Sequence, residues 1–288
     1  PLPGRAMSAD ARGAEDAGGD LAAARRLVAD AQRLVLFTGA GVSAESGIPT
    51  FREAQTGLWS RFDPRALATE EGFRADPELV WGWYTHRRKL VQQAQPNAAH
   101  RAAAQYEASG AQICSVQTGG VQARGLQTSG APTCGGRISV VTQNVDGLHR
   151  RAGSSEVLEL HGSLLRAKCI DCGAPGHEGW QDDERARVPC RRCGALLRPD
   201  VVWFGEALPQ EVLERAEALS RQCDLMLVVG TSALVYPAAG LPLAAHHAGI
   251  PLVVINPEPT PLDAIAAYCL RARAGKALPM LLAELPGR

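Results

Sequence analysis

The chain of 288 residues is 45% hydrophobic and 21% charged, ordinary values for a globular protein and enough length for one sizeable core with a small satellite. Thirty basic and thirty acidic residues cancel, which excludes the global field that draws a protein to nucleic acid or an anionic membrane. No apolar run reaches the roughly 18 residues that span a bilayer, so neither nucleic acid nor membrane is expected as a partner.

Residues 1–20, rich in Ala, Gly and Asp, have neither the apolar core of a signal peptide nor the Arg-rich, acid-poor bias of a transit peptide. A disordered lead-in to a cytoplasmic protein is expected. From Leu21 to Gln32 apolar residues recur at helical spacing, and Arg33–Thr38 then reads as a short buried strand running into Gly39, Ala40 and Gly41. Strand, glycine turn and helix form the opening unit of a doubly wound α/β sheet. Similar buried strands are expected at Ile138–Thr142, Leu225–Val229 and Leu252–Ile255, each rich in β-branched residues and Leu and closed by turn residues. Helices alternate with them, among them Gln210–Arg221, Ala238–Ala248 and a helical segment over 53–100. The alternation predicts a Rossmann-like α/β fold with a parallel sheet.

Two segments interrupt this pattern. Residues 115–137 are rich in Gln, Gly, Thr and Ser without periodicity, and a flexible surface loop is expected there. Residues 168–197 have few large apolar side chains and carry Cys169-x-x-Cys172, seventeen intervening residues, and Cys190-x-x-Cys193. That is the spacing of a four-cysteine zinc ribbon, an inserted module whose metal substitutes for a core. Four thiolates close a tetrahedral shell, so one structural Zn2+ is expected rather than a catalytic ion; the alternative is a pair of redox C-x-x-C motifs. Cys114, Cys134, Cys223 and Cys269 are scattered singly and are given no role.

The run from Gly39 to Arg52, GAGVSAESGIPTFR, places glycines at a strand end, where the backbone can approach a diphosphate near free helix N–H groups. Its G-x-G-x5-G spacing departs from the G-x-G-x-x-G fingerprint, so alone it is a weak dinucleotide signal. Asn144 and Asp146 lie just after the strand at Ile138–Thr142, at a carboxyl edge where such sheets place ligands. His161 brings an imidazole whose ordinary pKa, about 6.5, suits a general base.

GAGVSAESGIPTFR resembles the signature opening of the sirtuin family. It is joined in the family's order by TQNVDGLH (Thr142–His149), LHGS (Leu160–Ser163), the two C-x-x-C pairs, RPDVVWFGE (Arg198–Glu206), GTS (Gly230–Ser232) and INPEPT (Ile255–Thr260). The blocks cover nearly all of Leu34–Ala274, so 21–288 is read as one catalytic domain. The resemblance implies that NAD is bound as a co-substrate. From the opening block its ligands would be Gly39, Ala40, Gly41, Ser43, Glu45, Pro49, Phe51 and Arg52. Gln143, Asn144 and Asp146 would join them at the second block, with Gly230, Thr231, Ser232, Asn256, Glu258 and Ala274 further on. Catalysis would fall to His161 and Asn144. The reaction implied is attack of an acyl-lysine carbonyl oxygen on the ribose carbon as nicotinamide leaves; His161 then activates the ribose hydroxyl that captures the intermediate, and water releases the free lysine, leaving O-acyl-ADP-ribose.

Tyr84 and Arg87 stand three apart on a helix and share a face. In the sirtuin subgroup that removes succinyl and malonyl groups, a Tyr-x-x-Arg pair at this point binds the acyl carboxylate, and Arg suits a bidentate grip on that group. The competing reading is a solvated basic stripe of Arg87, Arg88 and Lys89. Substrate main chain is expected to pair strand-like with the loops around Val201–Gly205, including Phe204, and Val235–Pro237. Plain lysine deacetylation, mono-ADP-ribosyl transfer and a non-enzymatic zinc-ribbon docking module are the other readings.

Overall fold

The computed structural model describes residues 9–49, 63–117, 137–177 and 187–283. Helix α1 (Ala9–Asp30) leads into strand β1 (Arg33–Thr38), and the short helix α2 (Ala40–Ala44) follows at once. Helices α3 (Pro64–Leu67), α4 (Glu70–Ala75), α5 (Pro77–Gln93) and α6 (Ala98–Gln117) precede β2 (Arg137–Thr142). Then come α7 (Leu148–Ala152), β3 (Val157–Glu159), β4 (Gly162–Cys169), β5 (Leu197–Val201), α8 (Gln210–Gln222) and β6 (Leu225–Val229). The chain continues through α9 (Gly240–His247), β7 (Leu252–Ile255), β8 (Tyr268–Leu270) and α10 (Ala274–Leu282).

Six strands pair in the order β3-β2-β1-β6-β7-β8, every pair parallel. Alternate residues of β1 enter opposite layers, as a period of two demands. Leu34 and Leu36 pack with Val28, Ala103 and Leu278 from α1, α6 and α10; Val35 and Phe37 pack with Ala216 and Leu241 from α8 and α9. The order reverses at β1, which has β2 on one side and β6 on the other. In such sheets ligands bind outside the carboxyl ends of the strands at the reversal.

The second unit joins α3, α4 and α5 to the antiparallel pair β4–β5 over a separate apolar cluster that includes Phe73, Trp81, Trp83, Tyr84, Leu197 and Trp203. Helix α5 starts where it does because the Asp76 carboxylate accepts from Leu79 N at 3.0 Å and Pro77, at the first helical position, needs no N–H partner. It buries Val80, Trp81, Trp83, Tyr84, Arg88 and Val91. The basic stripe is therefore broken: Arg88 is buried, Arg87 half-buried and only Lys89 exposed.

Two expectations need correction. Residues 9–20 belong to α1 rather than to a disordered lead-in, in keeping with the high helix propensity of their alanines; residues 1–8 lie outside the described residues. The loop expected over 115–137 holds at neither end of that range. Helix α6 continues through Gln117, and Arg137 already belongs to β2, its N–H donating to Gln32 O at 2.7 Å; residues 118–136 lie outside the described residues. Among the described residues no helix is long and apolar enough to cross a membrane.

Candidate active site

The turn after β1 packs directly on the turn after β6. Gly41 N donates to Gly230 O at 2.8 Å, and a Cβ on Gly41 would stand 2.8 Å from Gly230 Cα. Gly230 has φ +60° and a Cβ there would meet Val42 N at 2.5 Å, so neither position admits a side chain. This contact brings the loop of Gly39–Ser43 beside Thr231, whose Oγ1 accepts from Gln143 Nε2 at 3.0 Å.

Asn144 ties the loops together from beneath. Its Nδ2 donates to Gly39 O at 3.0 Å and to Ser43 Oγ at 3.1 Å, while its own N–H is held by Thr142 Oγ1. Ser43 Oγ in turn donates to Asp146 Oδ2 at 2.7 Å, and Leu148 N donates to Oδ1 at 2.8 Å. Burial raises the Asp146 carboxyl above its ordinary pKa, with the Leu148 N–H and the Ser43 hydroxyl opposing that shift. A buried carboxyl, an amide and a hydroxyl thus converge at the carboxyl ends of β1 and β2, a donor and acceptor set that fits the hydroxyls and carboxamide of a dinucleotide. Glu45 sits farther along, its Oε1 accepting from Gly275 N at 3.2 Å, so Ala274 at the start of α10 borders the same loop. Asn256 and Glu258 follow β7, linked by Asn256 Nδ2 to Glu258 O at 2.7 Å. Pro49 and Ser232 are placed at the rims of these loops; Phe51 and Arg52 lie outside the described residues.

His161 stands just before β4. Its Nδ1 lies 3.0 Å from Gln143 O, and a carbonyl only accepts, so Nδ1 carries the proton and Nε2 keeps its lone pair. Burial lowers its pKa below the ordinary value, against the Gln143 carbonyl, which favours the charged ring. The ring is therefore neutral and basic at Nε2 near neutral pH.

Tyr84 and Arg87 come together on α5. The Arg87 guanidinium carbon lies 5.7 Å from the Tyr84 ring centre and 4.8 Å from that of Trp83. Burial lowers the Arg87 pKa, and the Tyr84 and Asp146 groups act on it in the opposite sense. Burial pushes the Tyr84 phenol up to about 12, which keeps its proton in place. Sequence reading gave no role to Trp203, yet its indole Nε1 donates to the Tyr84 oxygen at 2.8 Å. No local pattern signals a contact across 119 positions. The substrate-loop residues divide: Val201 is buried in β5, whereas Phe204 is 56% exposed, beside Gly205 at φ +87°. The N–H groups of Val202, Trp203 and Phe204 are already engaged by His161 O, Glu206 Oε2 and Ala68 O, so a peptide pairing here must use the carbonyls or Gly205. Across the site, Val235 and Tyr236 are 50% and 68% exposed.

The four ligand sulfurs of Cys169, Cys172, Cys190 and Cys193 all lie within 4.8 Å of one another, with Cys169–Cys193 at 3.4 Å and Cys172–Cys190 at 3.8 Å. Four sulfurs about 2.3 Å from one tetrahedral ion would stand about 3.8 Å apart, so the set fits zinc. Backbone N–H groups of Cys172 and Arg192 point at Cys169 Sγ and Cys190 Sγ, at 3.5 and 3.4 Å, which favours thiolates.

The sequence profile of the Sir2 family matches residues 39–122 and 132–237. An NAD-dependent protein deacylase of Aeropyrum pernix is 49% identical over 250 residues, 86% of this chain and 91% of the relative. Among solved structures, a mutant Sir2 homologue in complex with 2′-O-acetyl ADP ribose superposes with TM-score 0.73 at 43% identity, covering 90% of this chain and 93% of the other. A Sir2 homologue–NAD complex does so with TM-score 0.71 at 42% identity, covering 90% and 91%.

Proposed function

The chain belongs to the Sir2 family, and from that premise we propose that it uses NAD to remove succinyl and malonyl groups, and acetyl groups besides, from protein lysine side chains. The products are nicotinamide, free lysine and O-acyl-ADP-ribose. The carrying observation is the ring of His161, held by Gln143 O with Nε2 free as a base.

When bound, NAD would supply a glycosidic bond whose nicotinamide the acyl oxygen of the substrate can replace, and water would then free the lysine amine while the acyl group stays on ADP-ribose. The groups that would hold it are the Gly39–Ser43 turn, Gln143 with Thr231, and the Asn144–Ser43–Asp146 cluster. His161 Nε2 takes a proton from a hydroxyl in the reacting complex, a role worth about 10² to 10⁴ in rate. Asn144 fixes the Gly39 and Ser43 positions relative to that base. Tyr84 and Arg87 receive the far end of the acyl group, and the half-buried guanidinium favours an acyl chain ending in a carboxylate. The exposed side chains Phe204, Val235 and Tyr236 flank the approach of the lysine. Because the metal set requires thiolates, we assign the enzyme to a reducing compartment, the cytoplasm.

The deciding experiment is turnover of acetyl-, malonyl-, succinyl- and glutaryl-lysine peptides side by side with NAD. Nicotinamide release that depends on an acyl peptide, fastest for carboxylated groups, is the expected result. Release independent of any acyl-lysine would overturn the deacylase reading; release fastest with acetyl would overturn the acyl preference alone.

A further inference from the structure

Tyr84 and Trp203 meet inside the apolar cluster under α5, with 3% and 2% of their surface exposed. An indole N–H only donates, so at this 2.8 Å contact the phenol oxygen is the acceptor and its own proton is directed elsewhere. Among the described residues no hydrogen bond takes that proton; beside the Tyr84 ring lie Trp83, at 4.6 Å between centres, and the Arg87 guanidinium. Trp203 cannot easily turn away. The Arg198 guanidinium lies 3.3 Å from its ring centre, pairs with both oxygens of Glu206, and donates to Val201 O at 2.6 Å. Glu206 Oε2 also accepts the Trp203 backbone N–H at 2.9 Å.

We propose that Trp203 is a positioning residue for acyl selectivity: its indole N–H occupies an acceptor site of the Tyr84 oxygen and so directs the phenol proton toward the acyl end beside Arg87. The inference rests on the assignment of Tyr84 and Arg87 to the acyl pocket. An acyl carboxylate accepts from both side chains. An acetyl methyl accepts from neither and leaves an oriented donor without a partner, which is how a polar pocket discriminates against an analogue lacking the group. The Arg198–Glu206 pair acts one step further back, by holding the indole in register.

The test is a double-variant cycle of Trp203→Phe and Tyr84→Phe, assayed on succinyl- and acetyl-lysine peptides, with thermal melting to monitor folding. Trp203→Phe keeps a ring above Arg198 and deletes the donor together with part of the indole volume, which the melting measurement follows. The succinyl-to-acetyl ratio of kcat/KM should fall about 2- to 10-fold, the size of one neutral hydrogen bond, and the change should lie in the succinyl KM. Tyr84→Phe should lower the ratio further. In the Tyr84→Phe background the Trp203 substitution should no longer move it, because the indole acts through that hydroxyl. Trp203→His, which retains a ring N–H, should keep more of the ratio than Trp203→Phe. If Trp203→Phe does not fold, the same comparison is made between Trp203→His and Trp203→Met. The proposal is overturned if removing the indole donor leaves the ratio unchanged while Tyr84→Phe lowers it, or if the Trp203 effect is equal in both backgrounds. A ratio indifferent to Tyr84→Phe would instead remove the acyl-pocket assignment itself.

Discussion

Ser43 Oγ donates to Asp146 Oδ2 at 2.7 Å, joining the turn after β1 to the loop after β2 inside a layer where both side chains are buried. The hydroxyl favours the ionised carboxylate against a burial that disfavours it. Ser43→Ala removes that support, so the Asp146 pKa should climb further above its ordinary value. A hydrogen bond to a charged group is worth about 1.5 to 3 kcal/mol, and we expect KM for NAD to rise about 10-fold or more. The acidic limb of kcat/KM for NAD should also move to higher pH. An unshifted limb would mean that Asp146 does not act as a carboxylate.

His161→Ala should reduce turnover by about 10² to 10⁴ while the peptide still binds. In the native enzyme, burial lowers the ring's pKa, so the neutral base persists to more acidic pH than an exposed histidine would allow. The limb of the rate profile that reports His161 should therefore be centred below about 6.5. Retention of near-native turnover by the alanine variant would show that another group is the base.

Arg87→Met deletes a guanidinium while keeping a long apolar stem. Leaving an acyl carboxylate buried without its partner costs roughly 2 to 5 kcal/mol, or about 30-fold to several thousand-fold in succinyl kcat/KM. Acetyl turnover should fall much less. Equal losses on the two peptides would indicate that Arg87 only steadies α5.

Cys190→Ser removes one ligand of the four-sulfur set, and because binding energy in such a site is folding energy, the yield of folded protein should drop sharply. Metal analysis of the native protein should return one zinc per chain. Full activity in a metal-free preparation would contradict this.

Strands β1, β6 and β7 are readable from the sequence to the residue, because both faces are covered and nearly every position is apolar. Strands β3 and β8, three residues each, are too short to carry a period. Strand β5 contains Pro199, which argues against a strand, and β4 carries the exposed Arg166 and the half-buried Lys168, so neither reads as a core strand. The site is legible wherever a loop directly follows a strand, as Gly39, Asn144 and Gly230 do. It is illegible where function depends on contacts between distant segments. That Arg88 is buried while Lys89 is exposed, and that Trp203 reaches Tyr84, depends on how α5 packs against β5 and the loop after it.

Strand β4 is bounded by the two chemical centres of the molecule: His161 immediately precedes Gly162, its first residue, and Cys169 is its last. Only five residues of β5 face the two ends of β4, so at about 3.3 Å per residue those ends stand roughly 13 Å apart, and β4 takes up its extra residues in the register shift between Ser163 and Ala167. The partner strand β5 repeats the arrangement, running from Leu197 opposite Cys169 to Val201 opposite Gly162. A metal on the four sulfurs thus anchors the far end of a two-stranded lever whose near end carries both His161 and the loop after β5 that exposes Phe204. Closed off by four sulfurs, the metal has no open position to offer a reactant, and only its tetrahedral shape is felt at the other end. Cobalt in place of zinc would leave the rate unaltered while colouring the protein, a silent optical label on the fraction of molecules competent to react.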